Sequence, residues 1–232
     1  MGAALRRCGC MEIIDRPSAN FNDRRAGAVP DMVVLHYTAM EAEAALERLC
    51  DPGAEVSAHY MIGRDGRVWR LVDEAKRAWH AGAGAWGDVR DVNSASIGVE
   101  LVNLGAEPFA AAQMDRLAHL LRAVMGRWAI PRHRVIGHSD MAPDRKADPG
   151  SRFDWRRLAR EGLSIWPEPG AQADFMASAT TVGYRCPPDL ALAAFRQRFR
   201  PWARGPEDAV DRALMADLAA RWPCLDGDGA GA

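Results

Sequence analysis

The chain lacks an excess of charge of either sign and lacks long apolar runs. Its 232 residues carry 30 basic and 31 acidic side chains, a formal net charge of −1. No surplus positive charge is therefore available to capture nucleic acid or an anionic membrane surface. No stretch approaches the roughly 20 apolar residues of a membrane-spanning helix. We expect no nucleic-acid partner and no membrane span.

Cysteines are few and lack the spacing of a metal knuckle or a disulfide framework. Their odd number leaves at least one unpaired, and the pair in the N-terminal tail has no second CxC or CxxC partner. That pair can bind a soft metal alone, but two thiols without a function are the favoured interpretation. The five are Cys8, Cys10, Cys50, Cys186 and Cys224.

The N-terminal segment MGAALRRCGCMEIIDRP is basic but lacks the apolar run of about 7–15 residues that a secretory signal requires. The sequence therefore predicts a cytoplasmic protein, with the periplasm or the cell envelope as the alternative.

Hydrophobic patterning predicts an α/β fold with a mixed central β-sheet flanked by helices. Near-continuous or alternating apolar runs predict strands over 31–37 and 96–102 and a shorter one over 134–138. The turn Arg64-Asp65-Gly66 joins the two halves of a hairpin. Apolar residues at helical spacing predict helices over 41–50, 108–128 and 153–160.

Proline- and glycine-rich stretches suggest boundaries in the C-terminal third. The segment IWPEPGAQAD predicts a linker, and two short helical patterns follow it, around Leu190–Phe195 and Val210–Leu218. A small C-terminal helical domain is therefore expected. The predicted divisions are an N-terminal tail (1–10), a main domain (11–165), a linker (166–171), the helical domain (172–224) and a flexible tail (225–232).

Five polar residues have the chemistry of an open zinc site. His36, His138 and Asp148 can supply three ligands and leave a position for water. Glu100 shares a strand face with Gly98, which leaves space beside it, so it can act as a general base.

Lys146, close in sequence to Asp148, can stabilise a developing oxyanion. Each residue also has an ordinary interpretation. A histidine at a strand end is commonly a satisfied polar group, and a lysine–aspartate pair in a loop contributes under about 1 kcal/mol. Spacing alone leaves both interpretations open.

Five ordered segments resemble the type 2 N-acetylmuramoyl-L-alanine amidases, whose superfamily includes T7-type lysozymes and peptidoglycan recognition proteins. The segments are LHYTA, SAHYMIGRDGRVWRLV, AWHAG, SIGVELVN and GHSDMAPDRKADPG, within residues 11–165. The resemblance implies Zn²⁺ bound by His36, His138 and Asp148, with Glu100 and Lys146 catalytic. Asp148 replaces the cysteine ligand of other branches, as in the bacterial AmpD-like and AmiD-like amidases.

The implied activity is hydrolysis of the amide between N-acetylmuramic acid and L-alanine in peptidoglycan or muropeptides, for cell-wall turnover or recycling. A non-catalytic peptidoglycan-recognition module is the alternative. A glycosidase needs two paired carboxylates, and Glu100 has no obvious partner except Asp148.

Four further residues are predicted to contact substrate. Trp79 and His80 are expected to line the groove, with His80 near the metal but not bound to it. Arg90 and Asn93 are expected to contact carboxylates of the stem peptide. Tyr37 follows a ligand on the opposite strand face and is interpreted as a packing residue.

The C-terminal segment is similar in order to three-helix peptidoglycan-binding domains, through VGY, AFRQRFRP and AVDRALMADLAA. Arg196 departs from that pattern, because glutamine usually follows the phenylalanine. A glycan-binding domain and a purely structural one both stay open, and the former would favour the cell envelope. The protein is expected to be a monomer.

Overall fold

The computed structural model describes residues 12–224, so both predicted tails lie outside the described residues. Within that range no helix is long and apolar enough to cross a membrane. The strands are β1 (Ile13–Asp15), β2 (Phe21–Asp23), β3 (Met32–Tyr37), β4 (Tyr60–Ile62), β5 (Val68–Arg70), β6 (Lys76–Ala78), β7 (Ser96–Leu101) and β8 (Val135–Gly137). The helices are α1 (Ala42–Cys50), α2 (Val92–Ala95), α3 (Ala111–Trp128), α4 (His138–Met141), α5 (Trp155–Arg160), α6 (Phe175–Val182), α7 (Pro188–Phe199) and α8 (Ala209–Arg221).

The central sheet has six strands in the order β1-β5-β4-β7-β3-β8. The β4–β5 hairpin is antiparallel, whereas β3 pairs in parallel with both β7 and β8. Strands β2 and β6 form a separate antiparallel pair. The mixed sheet flanked by helices that the sequence predicts is confirmed.

One face of the sheet packs against α3 and α5. Val33 and Leu35 on β3 and the apolar residues of β7 alternate onto this face, as their spacing predicts. Each large apolar side chain buried here contributes about 1.5–3 kcal/mol to stability. The fully buried residues of this cluster include Val33, Leu35, Ile97, Val99, Leu101, Leu117, Leu120 and Leu121.

Helix α3 begins three residues later than predicted. The predicted helix over 108–128 would include Pro108 in its first turn, but Ala110 has an extended backbone, with φ −63° and ψ 144°. With this extended segment, Phe109 packs against the apolar cluster between the sheet and α3. A helix that started at Pro108 would change this contact.

The opposite face of the sheet is covered by two groups of helices. Helix α1 buries Leu46 and Leu49 against Met61 and Trp69. The C-terminal helices bury Phe175, Phe195 and Met215 in one cluster with Met32 and Ile136 of the sheet.

The C-terminal segment contains three helices where the residue pattern predicted two. Helix α6 was missed because its sequence, FMASATTV, is dominated by small residues rather than by a clear apolar stripe. Asp174 begins it by accepting a hydrogen bond from the Ala177 amide. The three helices share their apolar core with the sheet. The domain boundary within 166–171 stays a prediction.

A buried carboxylate ties these helices to the end of β8. Asp140 accepts hydrogen bonds from Arg198 Nη1 at 2.6 Å, the Tyr184 hydroxyl at 2.9 Å and the Gly137 amide at 2.8 Å. The side chains of Asp140, Arg198 and Tyr184 are all buried. Removing one partner of such a buried pair typically costs about 3–5 kcal/mol, because an uncompensated charge is left behind.

We expect Phe195→Ala to destabilise the sheet as well as the helices. Phe195 is fully buried in the core that both share, and losing such a side chain costs about 3–5 kcal/mol. Hydrogen exchange followed by mass spectrometry should show faster exchange of β3 amides together with those of α6–α8. Trp202→Ala, at a side chain that is 69% exposed, is the control. Loss of protection confined to α6–α8 would instead indicate an independent domain.

Candidate metal centre

Three neighbouring parallel strands end at the same edge of the sheet and carry three of the predicted site residues. His36 is the penultimate residue of β3 and pairs with Glu100, the penultimate residue of β7. His138 follows directly after β8, the other neighbour of β3. The carboxyl ends of parallel strands form one edge, so the topology brings together residues that are far apart in sequence.

The candidate ligand atoms converge on one point. His36 Nδ1 lies 2.9 Å from His138 Nδ1 and 2.9 Å from Asp148 Oδ2, and His138 Nδ1 lies 3.0 Å from the same Asp148 oxygen. All three residues are buried. Two imidazoles and one carboxylate form a donor set of the kind found in open metal sites, and this group can hold a metal ion.

Backbone contacts orient two of these residues. His138 Nε2 lies 2.9 Å from the Ala81 carbonyl oxygen. Because a carbonyl can only accept, Nε2 carries the proton and Nδ1 keeps its lone pair for a cation. The Ser139 amide donates to the Asp148 carbonyl at 2.9 Å, which fixes the loop beside His138. The residues present therefore fit a metal ion.

The ionisation of the cluster also suits a cation. Burial, and next the neighbouring His138, lowers the pKa of His36 to about 4, so its imidazole is neutral at pH 7. Burial alone would raise the pKa of Asp148, but contacts with His138 and His36 outweigh it and hold that pKa well below its usual value. Neutral imidazole and ionised carboxylate are the forms that bind metals.

Glu100 lies beside this cluster with one carboxylate oxygen unsatisfied. Its Oε2 is buried and has no hydrogen-bond partner among residues 12–224. Burial, and next the negative charge of Asp148, raises the pKa of Glu100 to about 8, while the positive charge of Lys146 opposes the shift. A buried carboxyl group with a perturbed pKa in a cavity is typical of a catalytic acid or base.

The cluster opens into a cavity of about 450 Å³. Helix α1 forms one wall, and the loop that carries Lys146 and Asp148 forms another. Apolar and basic side chains predominate in the lining. They include Met40, Leu49, Val56 and Trp79 on the apolar side and Arg48, Arg145 and Lys146 on the basic side.

The four predicted substrate residues have different positions. Trp79 and His80 line the cavity. Asn93 is buried, and its Oδ1 accepts from the backbone amides of His80 at 3.0 Å and Ala81 at 2.8 Å, so it holds the loop rather than facing the cavity. Arg90 is exposed and is not among the described residues that line the cavity. These positions do not support the prediction that Asn93 and Arg90 contact substrate directly.

Tyr37, Arg48 and Arg145 line the cavity but were not predicted as site residues. Alternation along β3 predicts that Tyr37 packs away from His36; its ring lies close to Gly105 and Gly150, and the residue also lines the cavity. Arg48 lies one helical turn after Ala45, which also lines the cavity. Residues three apart lie on one helix face, so the spacing of Ala45 and Arg48 could have indicated that both face the cavity.

The sequence profile of the N-acetylmuramoyl-L-alanine amidase family matches residues 26–151. The chain belongs to this family. It is 31% identical to the N-acetylmuramoyl-L-alanine amidase AmiD of Escherichia coli, over 96% of each chain. It is 33% identical to the 1,6-anhydro-N-acetylmuramyl-L-alanine amidase AmpD of Enterobacter cloacae, over 61% of this chain and 86% of AmpD.

Solved structures of relatives share the fold. The complex of E. coli AmiD with anhydro-N-acetylmuramic acid-L-Ala-D-γ-Glu-L-Lys has a TM-score of 0.76 and 30% identity, covering 88% of this chain and 98% of AmiD. AmpDh3 of Pseudomonas aeruginosa, in complex with anhydromuramic pentapeptide, has a TM-score of 0.77 and 28% identity, covering 87% and 96%.

We expect Glu100→Gln to stabilise the metal-free protein. The pKa of Glu100 is about 8 in the fold against 4.5 for an ordinary glutamate. Ionisation therefore costs stability as pH rises from about 4.5 through 8, and the cost is absent below that window. Urea unfolding in chelator should show the variant roughly 2–4 kcal/mol more stable at pH 8 and equal to wild type near pH 4. Glu47→Gln, at an exposed site on α1, is the control; equal stability of Glu100→Gln and wild type at pH 8 would contradict the expectation.

Proposed function

We propose that this chain is a zinc-dependent amidase that hydrolyses the amide between the lactyl group of N-acetylmuramic acid and L-alanine. One observation carries the proposal. The buried Oε2 of Glu100, which has no hydrogen-bond partner within the described part of the chain, shares a cavity with the converging atoms of His36, His138 and Asp148. The family and the relatives named above support the same reaction.

Zinc is the metal we propose for the cluster. Two histidines and one carboxylate match the ligand set of catalytic zinc sites, which keep a further position open. When bound, zinc would supply a water with a pKa near 7 and polarise the carbonyl of the scissile amide.

Glu100 is the proposed general base and acid. Its Oε2 takes a proton from the attacking water as the water oxygen adds to the carbonyl carbon. It then returns that proton to the amine nitrogen of L-alanine as the C–N bond breaks. A pKa raised by burial toward neutrality suits both transfers, because such a group can accept and release a proton near pH 7.

Lys146 is the proposed stabiliser of the carbonyl oxygen as negative charge develops on it. Its side chain lines the cavity, and its charge is felt by both His36 and Glu100. A cation aimed at the oxyanion stabilises the transition state more than the neutral substrate, which accelerates the chemical step.

The substrates we propose are soluble muropeptides, including 1,6-anhydro forms, processed in the cytoplasm. E. coli AmiD and P. aeruginosa AmpDh3 bind anhydromuramic peptides in their complexes. Trp79 offers an apolar surface in the cavity, and Arg48 offers positive charge to a carboxylate of a stem peptide. The Arg145 guanidinium donates to the Ala81 and Ala83 carbonyls and adds its positive charge to the same lining.

The amidase activity is tested by metal removal and by Glu100→Gln. Chelation should abolish release of the stem peptide from muropeptides, and added zinc should restore it. Glu100→Gln should bind zinc but turn over about 10²–10⁴-fold more slowly, because the proton carrier is lost. Glu47→Gln should match wild type. Mass spectrometry identifies the product: cleavage between sugars, or binding without turnover in zinc-replete buffer, would refute the amidase proposal.

Substrate size is tested by comparing soluble anhydromuropeptides with intact sacculi. We expect a higher kcat/KM on the soluble substrates, because the catalytic residues lie in a confined cavity rather than on an open surface. Chromatography of released peptides measures both rates. A preference for sacculi would favour the cell envelope over the cytoplasm.

A further inference from the structure

His80 contacts the candidate ligand His36 but has no role in the mechanism proposed above. Its Nδ1 lies 3.1 Å from His36 Nε2, the nitrogen that faces away from the metal cluster. The two rings meet edge to face, with centroids 5.1 Å apart. On its other side, His80 Nε2 lies 3.2 Å from the Ser96 hydroxyl oxygen.

Ser96 sets the direction of this hydrogen-bond chain. Its hydroxyl donates to the Val92 carbonyl at 2.5 Å, and a hydroxyl has only one proton. The Ser96 oxygen must therefore accept from His80, which places the His80 proton on Nε2. A neutral imidazole has one N–H, so His80 Nδ1 accepts in turn.

The tautomer of His80 determines the tautomer of the candidate ligand His36. Because His80 Nδ1 accepts, His36 must donate from Nε2, and its lone pair lies on Nδ1. That atom is 2.9 Å from Asp148 Oδ2 and 2.9 Å from His138 Nδ1, which also bears a lone pair. In this tautomer the lone pairs of these atoms face one another, an arrangement that a bound cation stabilises.

Neighbouring residues fix the position of the His80 ring. A Cβ on Gly98 would lie 2.4 Å from His80 Cγ, so the ring occupies the space that glycine leaves on the strand face. The His80 amide donates to Asn93 Oδ1 at 3.0 Å, which fixes the backbone. Gly98 thus leaves room for the ring, and Asn93 holds the backbone that carries it.

We propose that His80 is a positioning residue that fixes the tautomer of His36, with Ser96 and the Val92 carbonyl as the far end of the chain. The proposal rests on the metal site of the proposed function. Histidine ligands commonly donate their second N–H to an acceptor that fixes ring and tautomer, and loss of that acceptor typically weakens metal binding 10–100-fold. Here the acceptor is another imidazole.

Zinc affinity of matched variants tests the proposal, measured by competition with a chelating dye. His80→Phe keeps a ring beside Gly98 but has no acceptor, and its zinc Kd should rise about 10–100-fold. His80→Gln, which retains an acceptor, should show a smaller rise. Ser96→Ala leaves His80 free to change tautomer and should fall between wild type and His80→Phe. His119→Phe, the same change at an exposed site on α3, should leave zinc Kd unchanged.

Imidazole ¹⁵N shifts of the metal-free protein give a second readout that needs no zinc. We expect protons on Nε2 of both His36 and His80, and a shift of the His36 population toward Nδ1–H in His80→Phe. Wild-type zinc affinity in His80→Phe, or a proton on His36 Nδ1 in wild type, would overturn the proposal. If wild type failed to bind zinc, the zinc proposal would fail, and the ¹⁵N shifts would still decide the role of His80.

Discussion

The parallel pairing of β3 with β7 and β8 is the constraint on which the candidate site depends. In this register His36 lies beside Glu100, and the end of β8 delivers His138 to the same edge. Side chains alternate between faces along a strand, so a slip of one residue would move His36 to the opposite face. Val33 and Leu35 alternate with these groups and pack on the face that α3 and α5 cover, and a one-residue slip would move them off it.

The same pairing places several polar groups where solvation is poor. Glu100 has an unsatisfied buried oxygen, and the pKa of His36 is lowered by burial. Such groups cost stability unless a cation or a substrate satisfies them. Two extensive apolar clusters, one on each face of the sheet, offset that cost. The buried polar groups of the site therefore lower the free energy of unfolding, and the surrounding core offsets this cost. Such a cost is common where function requires unsatisfied groups.

Long, periodic residue patterns predicted their strands and helices correctly. The strand over 96–102 predicted that Glu100 and Gly98 share a face, and the structure agrees within one residue at the strand end. Strands β1, β2 and β6 were missed because each has three residues, two of the three are largely polar (FND and KRA), and no turn signal such as that of the β4–β5 hairpin marks them. Asn93 was predicted to bind substrate because it is polar and precedes a catalytic strand. Its buried contacts with backbone amides depend on a loop conformation that no local pattern encodes.

The C-terminal helices contact residues next to the metal cluster. Gln197 on α7 donates to the Ser139 hydroxyl and to the Ala147 carbonyl, both at 2.8 Å. These acceptors are immediate neighbours of the candidate ligands His138 and Asp148.

The Arg198–Asp140 pair adds a second link from α7 to the turn that follows β8. Both links end on residues that flank the two ligands outside the strands, namely Ser139, Asp140 and Ala147. The strands position His36 and Glu100 through backbone pairing, whereas the residues that flank His138 and Asp148 also receive hydrogen bonds from side chains of α7.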